Sequence, residues 1–136
     1  MCLSKICEQF GSPDNVIYYG FKKFTIDPYC NIEWWLKPNG SSIVPLNTWI
    51  KAKINEDIMT LHGTYKSGFH IYEKDKDCSR PYFSRNHGGL ICVPVRFRGI
   101  TCIGYDCLSD YGVTYIANEL YVDSKDVYRA MTELGV

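Results

Sequence analysis

The chain lacks net charge. Lys and Arg together number 15, as do Asp and Glu, so the formal charge is zero and no molecule-wide field steers it to nucleic acid or an anionic membrane. Only a local basic patch can do that. It also lacks any apolar run near the ~20 residues that cross a bilayer, and residues 1–10 show neither the basic start nor the apolar stretch of a signal peptide. A cytoplasmic protein without membrane contact is the expectation. Its seven cysteines, Cys2, Cys7, Cys30, Cys78, Cys92, Cys102 and Cys107, lack the even, closely spaced framework of a disulfide scaffold. Reduced thiols are expected, several in apolar runs such as Leu90-Ile91-Cys92-Val93, where a thiol acts as a small hydrophobe.

Motifs of phosphate, nucleophile and metal chemistry are missing too. Gly88-Gly89 is not followed by G-K-[ST], and no G-x-G-x-x-G occurs, which excludes nucleotide cradles of those types. The double glycine fits a turn. No G-x-S-x-G elbow is present. His62, His70, His87 and the Cys102-x4-Cys107 pair raise zinc as a question, but structural zinc is held by two close pairs such as C-x2-C, and this is at best one loose pair. Neither a metal nor a cofactor is expected.

What is present suits one folded unit. Apolar residues make up 46% and charged residues 22% of the chain, globular values that allow a core to be buried, and 136 residues fit a single domain over 1–136. Aromatic residues reach 15%, with 11 Tyr and 3 Trp. That excess favours strands and supplies amphipathic contact area for a partner.

Along the chain, residues 4–10 read as a short helix with Ser4 as N-cap and Gly11 as stop. Strands are expected over 16–24 and 31–36, the latter closed by the Pro38-Asn39-Gly40 turn. Trp49, Ala52 and Lys53 sit in a segment that reads as helical after an Asn47 or Thr48 cap. Residues 65–72 read as one strand with Gly68 at its centre, 73–77 as a charged loop and 79–89 as a loop. Residues 90–98 carry the clearest strand, since Val93, Val95 and Phe97 alternate with Pro94, Arg96 and Arg98. Pro94 asks for an edge or a bulge, and Gly99 and Gly104 suggest that the strand continues across a bulge. Residues 113–122 alternate again, and a helix follows from about 124 with Asp123 or Ser124 as cap and Val127 and Met131 as an apolar pair. The expected fold is α+β: a largely antiparallel twisted sheet of about five or six strands with short N-terminal and C-terminal helices.

Arginine is the most suggestive residue. Alternation puts Arg96 and Arg98 on one strand face, beside a loop carrying Arg80, Tyr82, Phe83 and Arg85. Guanidiniums interleaved with aromatic rings suit stacking on bases or gripping an acidic protein surface, although charges on an exposed strand face also occur without any function. Of Trp34 and Trp35, adjacent in a strand, one points to the core and the other outward.

The run Tyr65-Lys-Ser-Gly-Phe-His-Ile-Tyr72, then Val93-Pro-Val-Arg-Phe-Arg-Gly99, then Gly104 and Ile116-Ala-Asn-Glu-Leu-Tyr-Val122 resembles small phage and bacterial proteins of unassigned function. The resemblance covers residues 65–122. It implies a phage-encoded protein that binds and inhibits a host component, a defence component among the candidates, in the host cytoplasm. A fainter similarity is to ADP-ribosyltransferases, with Tyr18 or Tyr19, Ser84 and Glu119 in the order of that family's site residues. It departs in having no Arg or His beside Gly20, no S-T-S, and Ala117 where a second acidic residue or Gln is expected. The leading expectation is therefore a non-enzymatic binding module using Arg80, Tyr82, Arg85, Arg96 and Arg98, with a host protein as partner and nucleic acid as the second candidate. The alternative is a nucleotide-using enzyme with Glu119 in its site.

Overall fold

The computed structural model describes residues 3–9, 16–34, 43–52, 57–60, 63–66, 68–75, 90–106 and 112–133. In chain order these form β1 (Leu3–Gln9), β2 (Tyr18–Ile26), β3 (Ile32–Trp34), β4 (Trp49–Lys51), β5 (Asp57–Thr60), β6 (Gly63–Lys66), β7 (Phe69–Tyr72), β8 (Leu90–Asp106), β9 (Val113–Tyr121) and one helix, α1 (Ser124–Glu133). Six strands follow the path β1-β8-β2-β7-β9-β4, β3 joins the edge of β2 as a seventh, and β5 and β6 pair as a separate hairpin. The pairing is antiparallel throughout. An antiparallel sheet with a C-terminal helix is what the alternation of residues 90–98 and 113–122 implies.

β8 organises the sheet because it is 17 residues long and serves both edges. Its first half pairs with β2 from Leu90 to Phe97, and its second half pairs with β9 on the opposite edge and β1 on the same edge as β2. Since β7 bridges β2 and β9, strands β8, β2, β7 and β9 close into a ring. Gly99, at φ 70°, and the register shift between Ile100 and Cys102 provide the bend. Pro94 lies opposite Phe21 in the half of β8 that pairs with β2 alone among the described strands, so its missing N–H costs little there.

Inside the ring lie Phe24, Ile71, Val93, Val95, Phe97, Leu120 and Val122, joined by Val127, Ala130 and Met131 of α1. Trp34 stacks on Phe69 with ring centroids 5.5 Å apart and tilts against Phe24 at 5.9 Å, so it supports this core. Trp35 lies outside the described residues. The seam between β2 and β7 is narrow, a single register pair, Phe21 with Tyr72. A side-chain bond crosses it, Lys22 Nζ donating to the His70 carbonyl at 3.0 Å.

Three expectations need correction. Residues 3–9 form β1, not an N-terminal helix: so short a helix needs tertiary support, and the edge of β8 at Cys102 to Asp106 offers a ladder instead. The segment around Trp49 is strand β4, and Asn47 caps a different helix. At φ 58°, Asn47 turns its side chain to α1, where Oδ1 accepts the Ser124 N–H at 3.0 Å and Nδ2 donates to Ser124 Oγ at 3.1 Å. Asp123 is the helix N-cap as expected, accepting the Lys125 N–H at 2.8 Å. Finally, the strand expected over 65–72 is two strands parted near Gly68, where a Cβ would stand 2.8 Å from the Ala117 carbonyl oxygen.

Candidate interaction face on the outer sheet

Because side chains alternate across a strand, the residues flanking the buried Phe97 and Leu120 turn outward and meet across four strands. Cross-strand register places Trp49 of β4 beside Tyr121 of β9, Tyr121 beside Arg96 of β8, and Arg96 beside Tyr19 of β2. A second row sets Lys51 beside Glu119 and Glu119 beside Arg98. The outer face thus carries one row of aromatic rings interrupted by Arg96 and, beside it, a row of charged side chains.

Its two arginines are held differently. Arg98 forms a fork on Glu119, Nε to Oε2 at 2.7 Å and Nη2 to Oε1 at 3.3 Å, while its guanidinium carbon lies 3.9 Å from the centre of the Trp49 ring. Fork geometry and ring stacking both favour arginine over lysine. Arg98 and Glu119 are the more enclosed pair, with side chains 26% and 12% exposed. Arg96 is looser: its guanidinium carbon is 5.2 Å from the Tyr121 ring, and its Nη2 lies 3.7 Å from Asp123 Oδ2, with the side chain 42% exposed. Tyr121 in turn packs on Trp49 at 5.4 Å, and Tyr19 is 74% exposed.

Charge on this face is nearly balanced, since Glu119 answers Arg98 and Asp123 answers Arg96. Exposed Tyr and Arg beside half-buried Trp is the composition enriched at protein contact hot spots.

Of the residues expected to bind, Arg96 and Arg98 do share one face, while Arg80, Tyr82 and Arg85 lie outside the described residues. Of the alternative set, Tyr19 lies beside Arg96 and Glu119 beside Arg98, Tyr18 turns inward to stack on Phe97 at 5.7 Å, and Ser84 lies outside the described residues. Alternation over 113–122 puts Tyr121 and Glu119 on one strand face, whereas Trp49 and Asp123 join it only through the tertiary structure. The aromatic residue and cation alternating at matching register could have flagged Trp49 only once β4 was read as a strand.

Elsewhere the chemistry is quiet. Among the described residues no three His, Cys, Asp or Glu side chains cluster to hold a metal; Cys107, His62 and His87 lie outside them. Cys102 is buried, Cys30 is exposed, and the Cys92 thiol donates to Asp75 Oδ1 at 3.4 Å. Burial and the Lys22 ammonium push the His70 imidazole down to about 3, against a weaker opposing hydrogen bond to the Gly68 backbone. Tyr115 is pushed up to about 12 by burial and by its hydroxyl donating to Glu73 Oε2 at 2.8 Å. No helix among the described residues is long and apolar enough to cross a membrane. No family model, curated protein or solved structure matches this chain.

Proposed function

We propose that this is a non-enzymatic, phage-encoded intracellular protein that engages and inhibits a host protein, a defence component being the first class to test, through its outer arginine and aromatic face. One observation carries the reading: the continuous row of Tyr19, Arg96, Tyr121 and Trp49 across four strands, with Tyr19 74% exposed. The balance of charge on that face favours a protein over a polyanion, because affinity for nucleic acid is carried by unneutralised cations. The phage origin and inhibitory role rest on the resemblance of residues 65–122 alone.

The test is capture of partners from host lysate by the tagged full chain, with and without nuclease. The expected outcome is one stoichiometric protein that survives nuclease and is lost from the Tyr19→Ala, Arg96→Ala double variant, whose stability stays near that of the parent because both side chains are exposed. Recovery of nucleic acid alone, or undiminished capture by the double variant, overturns the assignment. The transferase reading draws no support from the site geometry, in which Arg98 engages both oxygens of Glu119. It predicts nicotinamide release from NAD that vanishes in Glu119→Gln.

A further inference from the structure

β4 ends the sheet path: among the described residues it pairs with β9 on one edge and with no strand on the other. Which backbone groups lie on that open edge follows from the ladder. The Ala52 N–H donates to the Asn118 carbonyl at 2.7 Å, and since hydrogen-bonding direction alternates along an antiparallel strand, Ile50 also faces β9. Trp49 and Lys51 therefore turn their N–H and C=O groups outward. Their side chains stand on the outer face, next to Arg98 and Glu119, while Ile50 packs against the core.

Charge selects what could pair there. Lys51 is exposed and has no ion pair among the described residues, and its cross-strand neighbour Glu119 is engaged through both oxygens by Arg98. A lysine on a short edge strand discourages pairing with copies of the same chain. A neighbouring strand with a carboxylate opposite Lys51 turns that deterrent into attraction.

We propose that the open edge of β4 is a strand-addition site for an extended, acidic segment of a protein partner. It rests on the protein-binding reading above and names the partner's form. Main-chain bonds to Trp49 and Lys51 supply affinity, and the lysine with the adjoining Trp49 ring supplies selectivity.

The test is a backbone-amide NMR titration of the isotopically labelled full chain with a capped hexapeptide of alternating valine and glutamate, against the same peptide with lysine for glutamate. The amides of Trp49 and Lys51 are expected to shift and gain exchange protection. The glutamate peptide is expected to bind about twofold to fivefold more tightly, as one cross-strand charge pair allows, and Lys51→Glu should reverse the order. Lys51 is exposed, so that variant keeps the fold. Equal affinity for the two peptides, shifts confined to Tyr19 and Arg96, or concentration-dependent shifts at Trp49 and Lys51 without peptide, which mean a second copy, each overturn the proposal. The two readings also separate in partner capture: loss in the Tyr19→Ala, Arg96→Ala variant with retention in Lys51→Glu overturns the edge alone, and retention in both overturns the edge and the face together.

Discussion

At the scale of single residues, the two arginines of β8 show how one residue type on one strand takes two roles. Arg98 is bound in a fork by Glu119, whose side chain is only 12% exposed, so removing the guanidinium strands a carboxylate that solvent reaches poorly. Arg98→Ala is therefore expected to destabilise by about 2 kcal/mol. Arg96, 42% exposed and 3.7 Å from Asp123, belongs with surface pairs, and Arg96→Ala is expected to cost less than about 0.5 kcal/mol. Urea titration of both variants checks this, and equal losses would contradict the division of labour between them. The pairing of Arg96 with Arg98 on one face was legible from alternation. Their counter-charges were not, because Glu119 and Asp123 lie over 20 residues away and meet β8 only through register.

At the scale of elements, the ring closes where backbones approach most closely. β2 and β7 share one register pair, and at Gly20 an added Cβ would lie 2.6 Å from Ile71 Cγ2 and 2.8 Å from the Tyr72 carbonyl oxygen. The carbonyl cannot yield without moving the β7 backbone, so Gly20→Ala should act as overpacking, lowering stability by about 2 kcal/mol. Thermal unfolding measures it, and a variant as stable as the parent would mean that the seam opens freely. Elements with strong local alternation, β2, β8, β9 and α1, could be read from the sequence. β1 and β4 could not, since each owes its extended form to a neighbour's ladder: β1 to the edge of β8, β4 to β9. The segment before β4 shows the same limit, for Asn47 was legible as a cap but the helix it serves begins at Ser124, far along the chain.

At the scale of the whole molecule, stability is tied to a ring in which each strand depends on both neighbours, and pH acts on it through His70. The imidazole is pushed down from 6.5 to about 3 in the fold, first by burial and then by Lys22. Between those values the unfolded chain holds a proton that the folded chain does not, so stability rises with pH across the window and is lost as pH falls from about 6.5. One such proton contributes at most ~1.4 kcal/mol per pH unit. The urea midpoint is expected to fall between pH 6.5 and 4.5, with the slope flattened in His70→Gln; an unchanged slope would remove His70 from the account. Asp27 acts lower down: backbone donation from Asn31 holds its carboxyl below 3.8, so its contribution fades only in stronger acid.

By itself the sequence determined the chemistry available and the local periodicities: no net charge, no metal or phosphate motif, period-two alternation in the strands that became β8 and β9, and a capped amphipathic helix after Asp123. Those properties are carried by neighbours along the chain. Tertiary structure alone decided the closure of four strands into a ring, the strand form of β1 and β4, and the meeting of Trp49, Arg98 and Glu119 on one face. The physical reason is that register between distant strands sets each of these, and register follows from burying one face of every strand at once.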